Sequence, residues 1–213
     1  MKIIKFGHCC FVAEPKIGVK VMTDPGTFST MQNEAENISV VVVTHEHADH
    51  LHIESLKKVL ENNPNAVVIT NSAVGKILRN ENIEFKLIEE GNSIEVKGVM
   101  IKGFGNTHAE IYGTYGQVQN TGYMIDLLCF PGDAFEAPGV KVDILALPVA
   151  GPWMRIKDAI DYEKNITPRI IFPVHDAILS SVAMNFVPKM AEHFLSESGI
   201  DFKSLELGKE EEI

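Results

Sequence analysis

Four consecutive valines, Val40–Val43, run directly into the sequence Thr-His-Glu-His-Ala-Asp-His. An unbroken β-branched run predicts a strand that is buried on both faces. His45 and His47 are two residues apart, so an extended backbone directs both side chains to the same side. Asp49 and His50 follow as the chain turns towards the next helix, and they can face the same space from another direction. The segment therefore predicts metal-ligand side chains at the end of a buried strand.

Three further polar residues also follow apolar strands. His108, Asp133 and His175 each come within four residues of the end of a predicted strand, as His45 does. Strand ends on one edge of a sheet are neighbours in space, so four separate segments can converge there. A histidine or an aspartate in a turn is common by itself. The repeated placement, together with four of the eight histidines falling between positions 45 and 52, is what predicts a shared site.

The rest of the chain alternates short predicted strands with helices. Helices are predicted after residues 52, 71 and 155 and over Val187–Leu195, with polar loops at 26–39 and 110–120. The charged end, 209–213, is predicted to be solvated. This alternation indicates a mixed α and β protein, and we expect a single domain over residues 1–213. The predicted strands cover residues 2–6, 11–13, 19–23, 40–44, 66–70, 85–88, 94–96, 99–104, 122–130, 142–147, 169–174 and 202–207.

Composition narrows the possible partners and compartment. The formal net charge of -10 argues against a broad nucleic-acid footprint, because nucleic-acid binders carry basic surfaces. The apolar runs are only strand-sized, so we expect no membrane partner. No signal peptide is expected at the N-terminus. The three cysteines, Cys9, Cys10 and Cys129, do not make a disulfide framework and are predicted to pack in the protein, which favours a cytoplasmic location.

The spacing His-x-His-x-Asp-His at positions 45–50 resembles the signature of the metallo-β-lactamase-fold hydrolases. That resemblance implies an α+β fold, the four-layer αββα sandwich, which holds a pair of metal ions between separate strand ends. It also implies two ligand sets that share one bridging carboxylate. The first set is His45, His47 and His108, and the second is Asp49, His50, Asp133 and His175, with Asp133 as the bridge.

Ligand chemistry suggests the metal and the type of substrate. Imidazole and carboxylate ligands accept zinc, manganese or iron, and zinc is the first expectation for two divalent ions. Asp49, Asp133 and a bridging hydroxide would leave about one positive charge on the pair, which favours a small anionic substrate. A metal-bound hydroxide would be available at neutral pH, because coordination lowers the pKa of water to roughly 7. Asp49 is the candidate catalytic base.

Further segments resemble one branch of these hydrolases, the ascorbate-6-phosphate lactonase-like enzymes. The matching segments are Gly7–Phe11, Thr23–Pro25 and Leu147–Met154. The candidate substrate contacts in and beside these segments are His8, Trp153 and Arg155. Each has an open structural alternative to a pocket role, namely a structural histidine, a core tryptophan and a solvated arginine.

The expected function is dinuclear metal-dependent hydrolysis of a small ester, lactone or phosphodiester. A metal-binding sensor without turnover and an RNA-processing nuclease of the same fold are the alternatives. The nuclease branches carry an inserted domain or an RNA-gripping arm, for which this chain has no room. Oxygen-reducing diiron relatives carry glutamate at the position of His47, which weakens that possibility. The sequence predicts neither the substrate nor the oligomeric state.

Overall fold

In the computed structural model, which describes residues 1–196 and 199–213, the valine run lies within the first of two seven-stranded sheets. The strands of the first sheet, in spatial order, are Glu210–Glu212 (β14), Lys2–Gly7 (β1), Cys10–Lys16 (β2), Val19–Thr23 (β3), Ile38–Val43 (β4), Val67–Thr70 (β5) and Lys86–Leu87 (β6). Those of the second sheet are Asp201–Phe202 (β13), Ile170–Val174 (β12), Ile144–Pro148 (β11), Leu128–Phe130 (β10), Gly122–Ile125 (β9), Val99–Phe104 (β8) and Ser93–Val96 (β7).

Five α-helices accompany the sheets in the described part of the chain. They are Ile53–Asn62 (α1), Ser72–Asn80 (α2), Ile156–Ile166 (α3), Ser181–Met184 (α4) and Val187–Ser196 (α5), and a 3₁₀ turn covers Met31–Glu34. None of the helices formed by residues 1–196 and 199–213 has the length and apolar character needed to cross a membrane.

The layers follow from the alternation of side chains along the strands. Val40 and Val42 face the core between the two sheets, whereas Val41 and Val43 pack against α1 and α2. On the second sheet, Leu145 and Leu147 pack under α3 in the same way. A strand buried on both faces needs no polar alternation, which explains the continuous valine run. The result is the four-layer αββα sandwich of the metallo-β-lactamase fold, as predicted.

Strand direction brings the candidate ligands to one region. β4 pairs in parallel with β3 and β5, and β12 pairs in parallel with β11. β9 is antiparallel to both β8 and β10, so β8 and β10 run in the same direction. Because β10 also pairs in parallel with β11, the strands β8, β10 and β12 all run in one direction, and the segments that follow them leave from the same edge of the second sheet. The segment after β4 leaves from the carboxyl edge of the first sheet. In order along the chain, these segments carry His45, His108, Asp133 and His175.

The strands predicted over 122–130 and 202–207, which contribute to the second sheet, have the wrong bounds. Residues 122–130 form the hairpin β9–β10, because Asp126 adopts a left-handed conformation (φ 49°) and turns the chain. The edge strand predicted over 202–207 is only Asp201–Phe202, paired with β12.

The charged end of the chain is also more ordered than predicted. Glu210–Glu212 pairs antiparallel with β1, with Lys2 opposite Glu212. Without that pairing, β1 would present the unpaired backbone groups of an edge strand. The glutamates remain largely exposed, so the terminal segment is solvated as predicted while it also covers a sheet edge.

Candidate metal centre

The first candidate ligand set converges at the ends of β4 and β8. One ring nitrogen from each of His45, His47 and His108 lies within 4.8 Å of the other two. The ring centroids are 4.7–5.1 Å apart, and the rings meet edge to face. His45 and His108 are buried, and His47 is half-buried. Three imidazoles at this separation can bind one cation, because metal–nitrogen bonds are about 2.0–2.1 Å.

The second candidate set lies beside the first. Ligand atoms of Asp49, His50 and His175 lie within 4.8 Å of one another, and His8 belongs to the same group. Asp49 Oδ2 is 3.7 Å from the Nε2 atoms of both His50 and His175. It is 3.2 Å from His8 Nε2. His8 therefore lies against a candidate ligand and is not among the residues that line the cavity above the cluster.

Asp133 lies between the two sets. Its carboxylate oxygens lie 3.0–3.9 Å from the Nε2 atoms of four histidines, His45, His50, His108 and His175. The Asp133 backbone N–H donates to Asn120 Oδ1, which fixes the loop after β10. The preceding residue, Gly132, has φ 65°, and a Cβ there would lie 2.3 Å from Asn120 Oδ1. Only glycine fits that position without displacing the loop.

Several buried atoms of the cluster have no hydrogen-bond partner. The Nε2 atoms of His45, His50 and His108 and Oδ1 of Asp133 are all in this state. A buried polar atom without a partner costs about 1–3 kcal/mol, so four in one place require an explanation. Nitrogen lone pairs and a carboxylate oxygen around a common space are the ligands that zinc, iron and manganese accept. The residues present fit a bound metal.

The local electrostatics suit cation binding. Burial lowers the pKa of His45 well below its ordinary value and also lowers that of His47, so both rings are neutral near pH 7. Burial alone would raise the pKa of Asp133, but His50 and His175 hold it well below its usual range. Asp133 is therefore ionised. Neutral imidazole and ionised carboxylate are the forms that bind metals.

Hydrogen bonds to the other ring nitrogens orient the ligands. Thr44 Oγ1 lies 2.9 Å from His45 Nδ1, and His108 Nδ1 donates to the carbonyl of Ala109 at 2.6 Å. His50 Nδ1 donates to Asp24 Oδ2 at 2.7 Å. Each contact leaves Nε2 as the lone-pair atom that faces the cluster. The sequence predicted no role for Asp24, whose only signal is an Asp-Pro turn at the end of β3.

A cavity of about 510 Å³ opens onto the cluster. Trp153 lines it and is 8% exposed, so this residue is both a core side chain and a pocket wall. Another part of the lining comes from the loop between β8 and β9 and includes Ile111 and Tyr115. The sequence predicted a pocket loop around 109–120, but it contains no motif that identifies these two residues as the ones that face the ligands.

Arg155 is not among the residues that line this cavity. Its guanidinium is largely exposed and pairs with Asp158 at 2.8 Å. The Arg155 backbone N–H donates to the same carboxylate, at the start of α3. The structure thus places Arg155 at a helix terminus. It is a solvated arginine, which was the alternative to a role in the pocket.

Comparison with known proteins supports the fold and the family. The family model described as the β-lactamase superfamily domain matches residues 2–175. A protein of Mycobacterium tuberculosis is 32% identical over 187 residues, covering 84% of this chain and 86% of the relative. A protein of Thermoplasma acidophilum named as a metal-dependent hydrolase is 31% identical over 191 residues, covering 82% and 83%.

A solved structure agrees with this relationship. The metallo hydrolase Igni18 from Ignicoccus hospitalis superposes with a TM-score of 0.77 at 21% identity, covering all of this chain and 98% of that one. At that identity the likeness shows the fold alone. The family match and the two sequence relatives carry the classification. The chain therefore belongs to the β-lactamase superfamily domain family, among the metal-dependent hydrolases of the metallo-β-lactamase fold.

Proposed function

We propose that this protein is a dinuclear metal-dependent hydrolase of a small anionic ester, lactone or phosphodiester. The observation that carries the proposal is the position of Asp133, whose carboxylate lies within 3.9 Å of histidine nitrogens from both candidate sets. A carboxylate in that position can be shared by two cations. The relatives named as metal-dependent hydrolases support hydrolysis as the reaction class.

In this proposal the candidate ligands form two groups, one for each cation. His45, His47 and His108 would hold one cation, and Asp49, His50 and His175 the other, with Asp133 shared. Two such cations supply Lewis acidity and lower the pKa of a coordinated water to roughly 7. We propose zinc, with manganese or iron as alternatives that the same donors accept.

Asp49 is the residue we propose as the base. It lines the cavity, and its side chain is 22% exposed, so it can reach a water molecule there. Burial would raise the pKa of Asp49, but the hydrogen bond from His8 and the charge of His50 hold it well below its usual range. The ionised carboxylate can orient an attacking water and accept its proton. His8 Nε2, by donating to Oδ2, fixes the direction in which the carboxylate points.

The cavity suits a small substrate. Its volume is about 510 Å³, and Ile111, Tyr115 and Trp153 provide apolar walls around the charged floor. The excess positive charge of two cations over two carboxylates favours an anionic group near the floor. The surface charge of -10 overall would repel a long polyanion. The resemblance to lactonase-like enzymes makes lactones the first compounds to test.

Turnover by the metal-loaded protein is the test. The panel contains small lactones, carboxylic esters and phosphodiesters, and the variant Asp49→Asn is compared with Asp126→Asn, which changes an aspartate in the remote β9–β10 turn. We expect turnover of at least one class, and a loss in Asp49→Asn that exceeds its loss of bound metal. Small carboxylates or phosphates should inhibit, whereas tRNA at equal phosphate concentration should not. Efficient cleavage of structured RNA, or no turnover with both metal positions filled, would refute the proposal.

A further inference from the structure

Cys9 lies beneath the candidate metal centre, although its sequence position favoured packing over metal binding. Its thiol, a ring nitrogen of His50 and a carboxylate oxygen of Asp133 all lie within 4.8 Å of one another. The three residues are 0–2% exposed. Cys9 is therefore the one cysteine that the described structure groups with candidate ligands.

The backbone between β1 and β2 determines this placement. His8 adopts a left-handed conformation (φ 43°), and the Cys9 carbonyl accepts a hydrogen bond of 2.7 Å from Thr23 Oγ1. Cys9 then faces the core between the sheets, whereas Cys10 faces the opposite layer. The conformation of this short turn therefore sends the first thiol towards the cluster and the second away from it.

The neighbours of the thiol are ready to bind a cation. His50 Nε2 and Asp133 Oδ1 are buried, lie 3.2 Å apart, and make no hydrogen bond of good geometry with each other or with another group. His50 Nδ1 is already bonded to Asp24, so the ring can offer only Nε2. The three donor atoms lie within 4.8 Å of one another, so small side-chain rotations can bring all three to metal bonds of about 2.0–2.3 Å from one cation.

We propose that Cys9 is a soft ligand of the second metal position, bound together with His50 and Asp133. On binding, the thiol proton leaves to solvent and a sulfur–metal bond replaces the S–H bond. A thiolate favours zinc and cobalt over manganese, which prefers oxygen ligands. Imidazole and carboxylate ligands accept zinc, iron and manganese, and a Cys9 thiolate would shift this preference towards zinc. This inference rests on the proposed metal centre and adds a ligand and a metal preference to it.

Cobalt substitution of the intact protein tests the proposal independently of activity. Visible absorption bands report that cobalt occupies the site, and a near-ultraviolet thiolate-to-cobalt charge-transfer band reports a sulfur ligand. Only three cysteines are present, and all are buried, so Cys10→Ala and Cys129→Ala are matched controls. We expect the charge-transfer band in wild type and in both controls, and its loss in Cys9→Ala.

Metal preference provides the second measurement. In Cys9→Ala, zinc affinity should fall by more than about tenfold while manganese affinity changes little, so the zinc-to-manganese ratio falls. If Cys9→Ala does not fold, the double variant Cys10→Ala/Cys129→Ala, in which Cys9 is the only thiol, must still show the band.

The possible outcomes separate the two proposals. Visible cobalt bands without a charge-transfer band that depends on Cys9 would overturn the role of Cys9 and leave the metal centre standing. Wild type that shows neither type of band would overturn both. An unchanged zinc-to-manganese ratio in a folded Cys9→Ala variant would also refute the ligand role.

Discussion

Asp24 accepts a hydrogen bond from His50 Nδ1 at 2.7 Å, and both side chains are fully buried. The same carboxylate accepts from the backbone N–H and the hydroxyl of Thr44, whose Oγ1 lies 2.9 Å from His45 Nδ1. One carboxylate at the end of β3 therefore orients a histidine of each candidate set.

Replacing Asp24 with asparagine should weaken metal binding without removing a ligand. The amide lacks the negative charge that orients His50, and loss of such a supporting contact typically costs about 10- to 100-fold in metal affinity. Zinc competition against a chromogenic chelator measures the change. Asp126→Asn, a matched substitution in a remote turn, should bind zinc as wild type does. Equal affinities in the two variants would show that Asp24 has no orienting role.

Trp153 should report events at the candidate metal centre. It is the only tryptophan, and its ring centroid lies 6.0 Å from that of His108 and 5.7 Å from that of His175. Because it lines the cavity, cobalt should quench its fluorescence and a small anionic ligand should shift it. Fluorescence titration measures both effects. If Trp153 fluorescence does not change when one equivalent of cobalt binds, the metal does not lie beside Trp153.

His175→Asn should empty the second position and spare the first. His175 has φ 59°, a conformation that asparagine tolerates well, so the loop after β12 should keep its shape. Elemental analysis after dialysis should give about one metal per chain instead of two, because His45, His47 and His108 are unchanged. His193→Asn in α5, outside both candidate sets, serves as the control. Loss of both metals in His175→Asn would mean that the two positions do not fill independently.

Glu163 should make the protein less stable as pH rises. Burial raises its pKa from 4.5 to about 8, and neither carboxylate oxygen has a hydrogen-bond partner. The folded state therefore binds this proton more tightly than the unfolded state. The free energy of unfolding is unaffected below the pKa of Glu163 in the unfolded state. It then falls by about 1.4 kcal/mol per pH unit and levels off above the pKa of Glu163 in the folded state.

Glu163→Gln removes this titration from α3. The unfolding free energy of the variant minus that of wild type should increase from pH 5 to pH 8, as measured by urea denaturation. Asp161→Asn, an exposed change in the same helix, should show no such trend. A difference that stays constant with pH for Glu163→Gln would show that Glu163 ionises normally in the folded protein.

The pattern of the sequence predicted a mixed α and β protein with ligand-type side chains at strand ends, and the family resemblance added the four layers and the two candidate ligand sets. Val40–Val43 required a strand buried on both faces, and the structure shows the core between the sheets on one side and helices on the other. The spacing of His45 and His47 and the strand ends before Asp133 and His175 predicted convergence. These inferences succeed because side-chain alternation and strand ends are local properties that few residues determine.

Other features depended on the tertiary structure. The pairing of Glu210–Glu212 with β1 joins opposite ends of the chain. The turn at Asp126 is held by hydrogen bonds to the backbone of Met100, in β8. Asp24 and Cys9 lie at turns whose sequences do not indicate which ligands they contact. Pairing of the neighbouring strands β3 and β4 brings Asp24 to His50, and packing of the two sheets brings the Cys9 thiol to Asp133. Local patterns thus determined which side chains are available, and long-range packing decided which of them meet, because contacts between separate chain segments depend on the folded backbone.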